Sequence, residues 1–113
     1  MAVRIDDIGI CTLVEPENGT DFQLDELYDI IRCQTIGVRI VKIKGTLIVM
    51  IDDEEPFKLY GEYLMIMDED GKRKYLNRNA AASFIYNRDD DYIVGTVLLC
   101  RQEEQPSKRQ LKC

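Results

Sequence analysis

Between Gly37 and Ile51, apolar side chains occupy both odd and even positions. Val38 and Ile40 alternate with Val41 and Ile43; Leu47, Val49 and Ile51 alternate with Ile48 and Met50. Successive side chains of a strand point to opposite faces of its sheet, so these segments are apolar on both faces. Such strands belong in the middle of a sheet or under a second layer. Lys44-Gly45 divides the run and is short enough for a tight turn, which predicts a hairpin of two strands, 37–43 and 46–51.

Other segments carry equally local signals. Ile8 to Val14 reads as a first strand, broken by Glu15-Pro16-Glu17-Asn18-Gly19. Leu24, Leu27, Tyr28 and Ile31 fall at helical spacing and make one apolar stripe, with Asp25, Glu26 and Asp29 on the other side. Tyr63 to Met67 and Lys72 to Leu76 flank Asp68-Glu69-Asp70-Gly71, which predicts a second hairpin with an Asp-Gly turn. Asn77 is the expected cap of a short helix running to about Tyr86, favoured by the Ala80-Ala81-Ala82 run. Tyr75 and Phe84 are expected in the core, the alternative being stacking surface beside the helix start. Tyr92 to Cys100 reads as the last strand, where Gly95 predicts a bulge or close packing under a helix. The whole is an α+β fold: a single twisted, mostly antiparallel sheet of about five to six strands with two short helices. It occupies residues 1–100 as one domain, followed by a polar tail, 101–113, expected to be disordered.

Composition narrows the function. The net charge of −6 and the pI of about 4.6 oppose direct binding to nucleic acid or to an anionic membrane. No segment approaches the roughly 20 apolar residues of a membrane span. The start of the chain has no apolar leader, so the expected location is the cytoplasm. There is no histidine, the commonest general base, and no P-loop or GxGxxG, so no catalytic residue and no enzymatic activity is expected. The four cysteines, Cys11, Cys33, Cys100 and Cys113, form no CxxC and are read as free thiols, with no metal and no cofactor expected.

Charge is segregated along the chain. Residues 1–31 are acidic, 32–48 basic, 52–70 acidic and 72–88 basic. One reading is solvated turns with cross-strand pairs. The functional reading is an acidic surface that docks on a basic protein partner, such as a nucleic-acid-binding effector. The residues expected to carry it are Asp52, Asp53, Glu54, Glu55, Asp68, Glu69 and Asp70. An alternative is a small-ligand site, for a nucleotide signal, at the helix start Asn77, Arg78 and Asn79, where free N–H groups and a guanidinium suit a phosphate.

Glu15-Pro16 after a strand, the Leu24/Leu27 helix, the Ile40-Val41 strand, Leu76-Asn77-Arg78-Asn79-Ala80-Ala81 and Ile93-Val94-Gly95-Thr96-Val97 together resemble a family of small uncharacterised proteins of bacteriophages and integrative elements. That family carries a Leu-Asn-Arg-x-Ala helix start before an Ile-Val-Gly-Thr closing strand. The likeness spans roughly residues 10 to 100. The chain departs from it in having two acidic regions, around Asp53 and Glu69, where one is expected. The family offers no active site to carry over. What the resemblance implies is a context: a viral or mobile-element accessory protein that inhibits a host defence factor, for example a CRISPR effector, by stoichiometric binding in the host cytoplasm.

Overall fold

The computed structural model describes residues 2–51 and 55–101. Five strands and two helices follow one another: β1 (Ala2–Ile5), β2 (Cys11–Val14), α1 (Leu24–Ile31), β3 (Ile36–Val49), β4 (Phe57–Asp68), α2 (Ala80–Tyr86) and β5 (Val97–Cys100). They form one open sheet in the order β2-β1-β5-β4-β3, with every strand pairing antiparallel. The fold is α+β, as the sequence patterns predict.

The helices cover opposite faces. Leu27 and Ile31 of α1 pack with Phe22, Ile36, Leu64, Ile66, Leu98 and Cys100. Ala82 and Ile85 of α2 pack with Val3, Ile5, Val41, Met65, Val97 and Leu99. Short β5 is central and buried at all four positions, so consecutive Leu98 and Leu99 enter different cores. Each such leucine is worth about 1.5–3 kcal/mol of burial. The strands buried on both faces are thus β5 and the second half of β4, while β3 is an edge.

Several local expectations give way to this arrangement. The strand expected from Ile8 to Val14 begins only at Cys11, and β1 precedes it. Between them Asp6 accepts from the N–H groups of Ile8 (3.2 Å) and Ile10 (2.8 Å), closing a side-chain turn that leaves Ile8 exposed. Lys44-Gly45 makes no hairpin. Residues 36–49 are one strand, and the register slips between Ile43 and Thr46, where Gly45 in the bulge and Gly61, the partner of Ile43, both take positive φ. A bulge needs the same permissive residues as a turn, so the local signal does not separate them.

The second expected hairpin is also absent. Tyr63 to Met67 ends β4 and pairs with β3 and β5, whereas residues 69–75 form successive turns. A segment apolar on both faces takes the central place; Lys72-Arg73-Lys74 could cover neither face. The cap of α2 is Asn79, not Asn77: its side chain accepts from Ala82 N–H at 2.9 Å. The last strand shortens to Val97–Cys100, preceded by a lone bridge between Arg78 and Val94. Gly95 is closely packed, but not under a helix: its neighbour is Leu76, in the segment before α2, whose Cδ1 would lie 2.9 Å from an added Cβ. Tyr75 and Phe84 are not core residues; they are 91% and 73% exposed. Among the described residues, no helix is long and apolar enough to cross a membrane.

Candidate functional site

Of the acids expected to carry partner binding, Asp68, Glu69 and Asp70 are engaged within the fold. Asp52, Asp53 and Glu54 lie outside the described residues, and Glu55 is exposed. Asp68 ends β4 with only 2% of its surface exposed, because its carboxylate turns in to accept from Asp70 N–H (2.9 Å) and from Lys74. Glu69 meets Arg39 of β3 through two hydrogen bonds of 3.0 and 3.2 Å. Asp70 pairs with Arg73 at 3.1 Å, and Asp91 with Lys72. Arg73 and Lys74 thus neutralise Asp70 and Asp68 within one set of turns, while Glu69 and Lys72 find partners at more distant positions in the chain. Lys72, with the Tyr92 N–H, holds the Asp91 carboxyl below its ordinary range. These contacts tie the sheet edge to the turns.

At the alternative site the two asparagines are already used by the fold itself. Asn79 is fully buried: its Oδ1 caps α2, and its Nδ2 donates to the carbonyls of Ile5 (3.1 Å) and Gly95 (2.8 Å). Asn77 donates to Asp7 at 3.0 Å, and its carbonyl accepts from Gly95 N–H at 2.8 Å. Arg78 lies over the Tyr92 ring, 5.2 Å from its centroid. Every donor a phosphate would need from the Asn79 side chain is already engaged.

Acidity that is free lies elsewhere. The loop before α1 and the outer side of α1 expose Glu15, Glu17, Asp25 and Asp29, flanked by half-buried Asp21 and Glu26. Glu26 is used locally, accepting from Gln23 N–H (2.7 Å) and Glu17 N–H (2.8 Å) to hold the loop on the helix start. Asp25 and Asp29 stand four residues apart on one helix face, and neither joins an ion pair with a described residue. The charge pattern of residues 1–31 is the sequence signal for this surface.

A second feature is basic. A cleft of about 250 Å³ opens between the β3 bulge and the end of α2, lined by Ile43, Leu47 and Phe84 with Lys42, Lys44 and Asn87. No sequence signal announced it, because it forms from segments about forty residues apart in the chain.

The three described thiols are buried. Burial, and then Asp68, pushes Cys33 up to about 11, against smaller opposing effects of Lys74 and the Thr35 backbone. Burial and Asp6 raise Cys11. Both stay protonated at neutral pH, which is the wrong state for a nucleophile or a metal ligand. Among the described residues, no three acids or thiols converge to hold a metal ion.

Comparison with protein-family models, with curated proteins and with solved structures finds no match for the chain.

Proposed function

We propose that this chain is a non-catalytic binding protein that docks on a basic protein surface through the acidic ridge formed by the loop before α1 and the outer side of α1. Asp29 carries the reading. It lies in the last turn of α1, where the helix dipole disfavours an acid, and four residues after Asp25, a like charge on the same face. Both effects oppose folding by a few tenths of a kcal/mol each, and Asp29 forms no ion pair with a described residue. A surface retained against stability is the kind that serves a partner.

The resemblance to mobile-element proteins supplies the class of partner: a host defence factor, such as a CRISPR effector, whose nucleic-acid channel is basic. Inhibition would then be stoichiometric, the ridge occupying surface that phosphates otherwise take.

The test is capture from host lysate by the parent and by a variant with Glu15→Gln, Glu17→Gln, Asp25→Asn and Asp29→Asn. A specific protein should be retained by the parent at about 50 mM salt and released near 300 mM, where the Debye length is shorter. The variant should bind it at least about tenfold more weakly, mainly through slower association. Equal binding by the two proteins rejects the ridge as the docking surface.

A further inference from the structure

We infer that the free edge of β3 is a second binding surface, which takes up an extended acidic peptide segment as a sixth strand of the sheet. The edge strand has 14 residues and, among the described residues, is paired along one side only, by β4. Its other side presents backbone donors and acceptors as a template for strand addition. Apolar surface accompanies it: Ile40, on the α1 side of the sheet, is 62% exposed, beyond the area that α1 covers. On the α2 side, the cleft lined by Ile43, Leu47 and Phe84 lies beside the same strand, with room for one large apolar side chain of an incoming segment. Backbone pairing provides affinity and such a pocket provides selectivity.

Charge selects the occupant. No acid occurs between Asp29 and Asp52, while Arg39, Lys42 and Lys44 lie along the edge. Arg39 is engaged by Glu69, but Lys42 and Lys44 make no ion pair with a described residue. Lysines on an edge deter pairing with a second basic strand, so another copy of β3 is a poor partner. The same lysines attract an acidic strand. Nucleic acid would meet the lysines but not the backbone edge, and would be repelled by a chain of net charge −6. This surface lies apart from the acidic ridge and does not depend on it.

The probe is a fluorescently labelled peptide of alternating Glu with Val or Phe, titrated against the purified chain. Its charge-inverted Lys counterpart is the control. Binding of the acidic peptide with Kd below about 100 μM, with slowed amide exchange at residues 36–43, is the expected result. Lys42→Glu with Lys44→Glu, both exposed sites, should weaken binding at least about tenfold, and Phe84→Ala should weaken it for Phe-containing peptides only. The quadruple ridge variant should bind the peptide as the parent does, which separates this surface from the first. Absence of binding overturns the inference, as does binding without protection of residues 36–43. Protection that appears with protein concentration alone would assign the edge to a second copy instead.

Discussion

Asn79 donates from Nδ2 to the carbonyl of Ile5 at 3.1 Å, joining residues 74 positions apart. The same side chain caps α2 and reaches the Gly95 carbonyl, so one buried amide ties the first strand, the second helix and the approach to β5. Asn79→Ala should therefore remove a cap and strand two carbonyls, lowering stability by about 2–4 kcal/mol in denaturant melts. Asn79→Asp should give no rescue at neutral pH. It keeps the cap acceptor but sets a buried carboxylate against two carbonyl oxygens. A stable Asp variant would refute this account of the site.

Leu27 is fully buried under α1, whereas Asp25 and Asp29 are exposed on its outer side. Leu27→Ala should lower stability by about 2–5 kcal/mol, and Asp25→Ala by at most about 1 kcal/mol. Asp29→Asn should raise stability by about 0.3–0.5 kcal/mol, since it removes an acid from the wrong end of the helix and from a like-charge pair. Urea midpoints read all three. A loss of stability in Asp29→Asn would remove the main support for the ridge as a partner surface.

Lys74 faces a nearly buried carboxylate at Asp68, and Lys72 a more exposed one at Asp91. Removing a cation costs more where the acid left behind is cut off from water. Lys74→Ala should therefore lower the denaturation midpoint more than Lys72→Ala. Adding Asp68→Asn to Lys74→Ala should restore part of the loss, because the neutral amide no longer buries a charge.

Cys33 supplies a pH dependence. Its thiol titrates near 9.0 when solvated and at about 11 in the folded chain. Between these values the unfolded state has lost a proton that the folded state keeps, so stability falls as pH rises from 9 toward 11 and is unaffected below. Compared with Cys33→Ala, the parent should lose about 1–2 kcal/mol over that window, allowing for solvent screening. A difference between the two proteins that stays constant from pH 8 to 11 would contradict the buried, acid-flanked setting of this thiol.

What was legible in the sequence had a local cause. The stripe of Leu24, Leu27, Tyr28 and Ile31 specified α1, and Gly95 announced a tight contact. The same residues also show where such reading stops. Gly45 suits a turn or a bulge equally, and only the length of β4 across from it selects the bulge. The charge runs were visible, but their neutralisation was not: Glu69 meets Arg39 thirty positions away, and Asp68 is covered because the chain folds Lys74 back on it.

By itself the sequence determined that one helix would present a defined apolar side and that the chain carries unbalanced acid near its start; its two-faced apolar pattern at 37–51 pointed to an enclosed strand, yet that segment is the sheet edge, with Ile40 and Ile48 exposed. Periodicity and composition act over a few residues, so they survive without knowledge of neighbours. Only the tertiary structure decided that β5 is central and β3 an edge, that Asn79 and not Asn77 caps α2, and which acids remain free. Those outcomes depend on which distant segments become adjacent, and adjacency is set by the joint burial of both sheet faces rather than by any one segment's pattern.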